Sequence, residues 1–368
     1  MENKQQRVLA LDAFRGLTVA AMILVNNPGS WGHIYPPLEH ASWNGCTPTD
    51  LVFPFFLFIV GVSMWFSFKR YDHKLSLDSS KKILKRTALI FLVGLLLKAY
   101  PFYNMNIETI RIMGVLQRIA LAFGLGAFIC LGINEKWHKY IGAFILLGYW
   151  FAMTQWGGSD PYNIATNFAR EIDIAILGVN HLWTGDGLPF DPEGLFSTLP
   201  AIVTVMLGYH MGKIIERNKR EQALNMLFVR GLLLIIAGMI WNNWMPINKA
   251  LWTSSYVLYT AGLATCVLSV ALWVIDVKGK KKYITPLVVY GSNALFVFVA
   301  AGVFVKTLAL IKITDGDKSV GLGNYLYTRI YEPIGNAEFS SLLYALSWVL
   351  LLWLLAHILY KKNIFIKL

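Results

Sequence analysis

Charge is what this chain has least of. Asp, Glu, Lys and Arg make up 15% of its 368 residues and hydrophobic residues 56%, where a soluble domain carries roughly 25% charged residues. The deficit excludes an ordinary soluble fold. Cysteine is scarce too: Cys46, Cys130 and Cys266 stand singly, which excludes a disulfide framework and a thiolate metal site. Cys130 and Cys266 fall inside apolar runs and read as core thiols. No internal repeat stands out, so an inverted-repeat transporter is not suggested, and a single domain over 1–368 is the economical reading. The basic stretch Met1–Arg7 precedes an apolar run that Asp12 and Arg15 interrupt, without a small-residue cleavage site. That run reads as a retained first span, not a signal peptide.

What the chain does have is apolar runs near membrane length. Ten are legible, at approximately 8–27, 50–68, 83–101, 110–132, 139–155, 195–215, 224–244, 253–275, 284–311 and 341–360. Each can cross a hydrocarbon core of ~30 Å as a helix. Lipid leaves no unpaired backbone unpunished, so the expected class is all-α, a polytopic membrane helix bundle of about ten transmembrane helices.

The net charge of +12 would suggest nucleic acid in a soluble protein, but its distribution reads as topology. With the N-terminus inside, 22 of the 33 Lys and Arg collect in inner segments and 8 in outer ones, and Arg15, Arg118 and Arg230 fall within spans. This is the positive-inside signature, with both termini cytoplasmic and no nucleic-acid partner. The basic segment 69–86 then faces the cytoplasm as an anchor on anionic lipid, or as a collar for a polyanionic cofactor. The acidic segment 156–194 lies outside, as does the loop His40-Ala41-Ser42-Trp43-Asn44-Gly45-Cys46-Thr47-Pro48-Thr49-Asp50, which contains no Lys or Arg.

That loop is where chemistry is expected. A lone loop histidine is most often structural, but His40 stands among Trp31, Tyr35, Trp43 and Asn44, and a histidine can take a nucleophile's proton near neutral pH. Asn26 ends the first span. It reads as a helix C-cap before Pro28-Gly29, or as an amide donor to a developing oxyanion. Thr47-Pro48-Thr49-Asp50 reads as an N-cap, a proline at N1 and a carboxylate at N3. Asp50 can also orient His40, and the two roles are compatible.

Charges inside spans are costly and usually functional. Asp12 and Arg15, three apart, share a helix face and can neutralise each other. Arg111 and Arg118, seven apart with Gln117 beside them, are expected on one face of the fourth span, ~10 Å apart along its axis. Two arginines there suit a phosphate or carboxylate. Snorkelling explains Arg230 equally well. Glu193, Lys249 and Trp252 lie on short polar entries to helices and suit a polar ligand; Thr253 or Ser254 can cap the eighth span.

These blocks together resemble the heparan-α-glucosaminide N-acetyltransferase family. The resemblance rests on Leu11-Asp12-Ala13-Phe14-Arg15-Gly16, Val25-Asn26, His40-Ala41-Ser42-Trp43-Asn44-Gly45 and Asp50-Leu51-Val52-Phe53-Pro54. It continues through Arg111-Ile112-Met113-Gly114-Val115-Leu116-Gln117-Arg118, Asp191-Pro192-Glu193-Gly194 and Pro246-Ile247-Asn248-Lys249-Ala250-Leu251-Trp252, in the family's order. It implies a transmembrane acetyltransferase that moves acetyl from cytoplasmic acetyl-CoA to a terminal amino sugar on the far side. His40 matches the catalytic histidine and Asn26 the active-site asparagine, with Asp50 assisting. Arg15, Arg111, Gln117 and Arg118 are assigned to the CoA and Trp43, Asn44, Glu193, Lys249 and Trp252 to the acceptor, with no metal. The positive-inside pattern fits a bacterial inner membrane with the His40 loop in the periplasm, and family analogy suggests a homodimer. Two alternatives stay open: an O-acyltransferase of an envelope glycan, and a transporter for an anionic sugar, though transport needs no general base.

The expected orientation has a direct test. A cysteine placed at position 75 should be protected from an impermeant thiol reagent outside intact cells, and one at position 33 should be labelled. The reverse pattern would overturn the orientation.

Overall fold

A computed structural model of the chain describes residues 8–103, 105–185 and 187–366. The basic Met1–Arg7 stretch, Asp186 of the acidic segment 156–194 and Lys367, one of the inner cations, lie outside the described residues. The fold is nearly all-α: α1 Leu9–Asn26, α2 Val52–Phe68, α3 Leu77–Ala99, α4 Val115–Gly132, α5 His138–Trp156, α6 Phe168–Leu177 and α7 Thr198–Arg217. After these come α8 Arg220–Trp241, α9 Ser254–Leu272, α10 Thr285–Ser292, α11 Ala294–Leu310, α12 Leu322–Leu326 and α13 Ala337–Lys361. The strands among the described residues form an antiparallel hairpin, β1 Lys312–Asp315 with β2 Lys318–Gly321, turned at Gly316 with φ +62°.

Helices stand at all ten expected places, but they are not equally apolar. Among the described residues seven are long and apolar enough to cross a membrane, or eight if α10 and α11, bent by 80° at their junction, count as one span. This is an integral membrane protein. The helices α3 and α5 fall short of that apolarity, so seven or eight of the ten expected places meet it among the described residues. The first six residues of α3 are Leu77-Asp78-Ser79-Ser80-Lys81-Lys82, and α5 opens on His138-Lys139 and ends on Thr154-Gln155-Trp156. Local signals set the helix starts: Ser76 and Ser79 form a reciprocal capping box at α3, and Asn336 accepts from Phe339 N at α13, each satisfying amides that no helical carbonyl reaches.

The chain divides into two compact units. The first comprises Met1–His40, Thr47–Phe53 and Leu268–Lys367. Here α1 lies against α10 at backbone distance: a Cβ on Gly16 would sit 1.8 Å from the Leu287 carbonyl oxygen, and one on Gly291 would sit 2.0 Å from that of Asp12. At the α10–α11 bend Asn293 N donates to Tyr290 O at 3.4 Å and Val297 N to Asn293 O at 3.0 Å. The buried Asn293 side chain ties in the C-terminal tail, donating to Ile364 O at 3.0 Å and accepting from Ile366 N at 2.8 Å. The exit from α1 is tied to α13 by Gly29 N donating to Ser341 O and Ser30 N to Ser341 Oγ.

The second unit comprises Ala41–Cys46 and Pro54–Val267. Its helix α4 packs against α3 and α7, and α7 also against α5 and α8. The crossing of α2 and α7 is again a glycine contact. A Cβ on Gly61 would come 2.1 Å from Val205 O, and one on Gly208 would come 2.1 Å from Phe58 O. Small residues let helix backbones approach where lipid supplies no hydrophobic drive to associate. An aromatic core of Tyr149, Met153, Ala169, Phe190, Met245 and Leu251 holds the connections between helices, and the Tyr149 hydroxyl donates to Leu251 O at 2.7 Å.

Gly61→Leu or Gly208→Leu should therefore lower the thermal midpoint in detergent by the equivalent of about 1–3 kcal/mol or more, the cost of overpacking. Gly148→Leu is the control, because nothing lies within 4 Å of a Cβ there. Equal midpoints for all three would remove the close crossing as the cause.

Candidate active site

The first unit holds the histidine. His40 Nδ1 lies 2.7 Å from Asp50 Oδ1. The carboxylate is 1% exposed, and its second oxygen accepts the Thr47 backbone N–H at 3.1 Å. Asp50 thus performs both roles the sequence allowed, closing the turn before α2 and gripping the imidazole. The flanking segments of the loop are stitched together: the Thr47 hydroxyl donates to Glu39 O at 2.6 Å and that of Thr49 to Pro37 O at 3.3 Å. The His40 side chain itself remains 43% exposed, with Asp50 orienting the ring through Nδ1.

Asn26 lies in the same unit, as the last residue of α1. The helix is capped not by Asn26 but by Asn27, whose Nδ2 donates to Ile23 O at 2.6 Å. Asn26 is exposed, and its amide makes no hydrogen bond among the described residues. Arg15 and Asp12 pair at 3.2 Å as their spacing implies, and Arg15 also donates to Gly291 O at 3.3 Å.

The second unit holds the rest of the loop. Asn248, fully buried, donates through Nδ2 to Trp43 O at 3.0 Å and Asn44 Oδ1 at 3.1 Å, while its Oδ1 accepts from Leu251 N at 2.9 Å. Gly45 N donates to Ile247 O at 2.7 Å; with φ +113°, position 45 suits glycine alone. The Trp43 indole donates to Tyr162 O at 2.7 Å and meets the Phe190 ring edge-on at 5.6 Å. A cavity of about 350 Å³ opens beside this clasp, lined by Trp43, Asn44, Asp160, Tyr162, Asn163 and Pro246 among others. Nothing local in the sequence marks the Asn248 side chain; only its partners 204 and 205 positions away reveal the role.

The two arginines of this unit differ from expectation. Helix α4 begins at Val115 after an extended Gly114, so Arg111 lies on the approach, not on a common helix face with Arg118. Ile112 N donates to His181 O at 3.2 Å, which holds that approach extended. Arg111 is spent on carboxylates. Its Nε and Nη2 bind Asp191 at 2.8 and 2.6 Å, and Nη2 also reaches Glu193 at 2.6 Å. Arg118 is the opposite case. It is 0% exposed, donates through Nη2 to Gly194 O and Ser197 Oγ, and stacks over Trp252 at 5.0 Å. Its Nε and Nη1, and Nε2 of the neighbouring Gln117, have no partner among the described residues. Trp252 holds φ +49°, a conformation rare for a bulky side chain and one that clusters at functional sites. Lys249 is half-buried, and its carbonyl accepts the Trp252 N–H at 3.0 Å.

Asp173 escaped the sequence reading as a site residue. Its carboxylate accepts from Phe196 N at 3.0 Å. Burial, with the Asp191 charge adding to it and the Phe196 amide and Arg118 opposing it, pushes its pKa up to about 7. Such a group exchanges a proton near neutrality.

A model of the catalytic region of heparan-alpha-glucosaminide N-acetyltransferase matches residues 7–240. The Homo sapiens protein of that name is 28% identical, the match covering 98% of this chain and 60% of the relative. The Mus musculus protein is likewise 28% identical, over 99% of this chain and 61% of the relative. The chain spans about three-fifths of the length of both relatives.

The Arg111 network separates a structural arginine from a ligand-binding one. Arg111→Met leaves the buried Asp191 carboxylate without its counter-charge and should cost about 3–5 kcal/mol of stability, with Arg111→Met/Asp191→Asn recovering part of it. Thermal unfolding in detergent reads this. A stable single variant would show that Asp191 does not depend on Arg111.

Proposed function

This chain belongs to the heparan-alpha-glucosaminide N-acetyltransferase catalytic family, and on that premise we propose that it transfers acetyl from acetyl-CoA to an amino-sugar acceptor across the membrane. In this reading residues 1–368 work as a single acyltransferase domain. The donor enters from the basic, cytoplasmic side and the acceptor from the periplasm. The observation that carries the reading is the hydrogen bond between His40 Nδ1 and buried Asp50.

Each residue has an assigned task. With Nδ1–H given to Asp50, the neutral imidazole carries its lone pair on Nε2, where it can take a proton from an attacking amine. Asp50 fixes the tautomer and balances the imidazolium that results. The Asn26 amide, which does not cap its helix, offers N–H donors to the carbonyl oxygen as that oxygen gains charge. Acetyl-CoA supplies the acyl group as a thioester, and the displaced thiolate accepts a proton in turn. Holding a CoA polyanion within the bundle requires buried donors. The unspent Nε and Nη1 of Arg118 and Nε2 of Gln117 fit that requirement, and Arg15 is assigned to the donor's anionic part. Arg111, already neutralised, holds the Asp191-Pro192-Glu193-Gly194 turn in place. The cavity beside Trp43 and Asn44 suits an amino sugar: aromatic faces for the ring, and Asp160 for an ammonium group. Lys249 and Trp252 adjoin the Asn248 clasp in sequence and are assigned to the acceptor's polar groups with Glu193.

The direct route is favoured over a ping-pong route through acetylated His40, because an acyl-imidazole facing water would hydrolyse and a ternary complex gains orientation without it. Purified protein given labelled acetyl-CoA and a panel of amino sugars should yield N-acetylated product by mass spectrometry. Transfer only to hydroxyls would favour the O-acyltransferase, and no transfer at all would favour a transporter. His40→Ala should abolish most turnover while acetyl-CoA binding stays nearly intact. A burst of one CoA per chain, with acetyl recovered on His40, would sink the direct route.

A further inference from the structure

A cleft of about 1060 Å³ runs along the second unit, separate from the residues assigned above. Its walls are apolar: Leu146 and Leu147 on α5, Val203 and Met206 on α7, Leu233 and Leu234 on α8. Two of these are rim residues open to the surroundings, Leu147 at 51% and Leu233 at 60% exposure. On α8 the lining positions Arg230, Leu233, Leu234 and Trp241 recur at helical spacing, so one face of the helix forms the wall.

The cleft is charged at one end only. Lys136 and Lys139 line that end with Glu135, and Glu135 is already paired with Lys213. Arg230, exposed in mid-helix, makes no ion pair among the described residues. Two histidines lie at this end, His138 Nε2 within 3.0 Å of Ile133 O and its Nδ1 within 3.2 Å of His210 Nε2. From Arg230 to Trp241 is eleven residues of α8, ~16 Å, about half the ~30 Å hydrocarbon core. The cleft therefore has the length of one leaflet, a cationic head and an apolar body.

We propose that this cleft binds one anionic diacyl phospholipid, its phosphate held by Lys136, Lys139 and Arg230 and its acyl chains lying along α8 toward Trp241. Charge complementarity selects the headgroup, since an intramembrane arginine without a protein counter-ion favours an anion from the bilayer. The site is independent of the acetyl-transfer reading.

Native mass spectrometry of the full chain, released from nanodiscs of equal parts dioleoylphosphatidylcholine and dioleoylphosphatidylglycerol, tests this. The expected result is a single retained lipid, with phosphatidylglycerol favoured on the order of tenfold. Lys136→Gln/Lys139→Gln/Arg230→Gln should bring the preference to about one while the protein still folds. Gly142→Leu should weaken retention of the adduct, because a Cβ there meets only Val203 Cγ1, at 3.6 Å, and the side chain projects into the cleft that Gly142 lines. Equal retention of both lipids by the unaltered chain would overturn the proposal, as would a preference that survives the triple substitution. Displacement of the adduct by inorganic phosphate alone would show that a free anion, not a lipid, is the ligand. Leu233→Cys cross-linking between two copies in the nanodisc would assign the cleft to a second chain.

Discussion

Burying a charge in a low-dielectric bundle costs several kcal/mol unless a partner repays it, and this cost organises both units. Besides Asp12, paired with Arg15, three buried carboxylates meet it in three ways. Asp50 accepts from His40 and from the Thr47 amide. Asp191 is held by the Arg111 fork. Asp173 has only backbone amides and a distributed field, and a pKa pushed to about 7 lets it shed its charge by protonation. Arg118 breaks the pattern, a buried guanidinium with donors left over. A charge-assisted hydrogen bond is stronger than a neutral one, so unspent donors there are the place where an anionic ligand gains most.

The polar loop depends on a second restraint. A loop rich in tryptophan, asparagine and glycine would sample many conformations, and ordering it costs roughly 1–2 kcal/mol per residue. Asn248 offsets part of that cost by binding two loop residues from a fully buried position. The turn that carries Asn248 contains Trp252 at φ +49°, a strain of about 1–3 kcal/mol at a fully buried ring that meets Tyr256 edge-on and lies under Arg118. Catalytic residues on loops need rigid support of this kind. On the His40 side the support comes from Asp50 and the stitched 37–40 and 47–50 segments.

Close helix crossings complete the frame. In a bilayer the hydrophobic effect does not drive helices together, so contact area and backbone approach must do it. Glycines supply the approach at Gly16 with Gly291 and at Gly61 with Gly208. The cleft along α5, α7 and α8 is where the same bundle does not close on itself.

Apolar periodicity, Lys and Arg placement and the ordered motif blocks determined the class, the helix positions, the family and the loop that carries the histidine. Those features are local, and the bilayer imposes a single answer on a long apolar run. Tertiary structure decided the rest. Whether Asp50 caps, orients or does both depends on a ring ten residues away. Whether Asn26 or Asn27 closes α1 depends on which amide reaches Ile23 O. The pairing of Arg111 and Arg118 on one face looked sound at seven residues apart, but Gly114 takes an extended conformation and starts the helix four residues past Arg111. Asn248 and Asp173 carried no local signal, because a buried amide or acid takes its role from partners contributed by distant segments, and only the folded chain brings those within hydrogen-bonding distance.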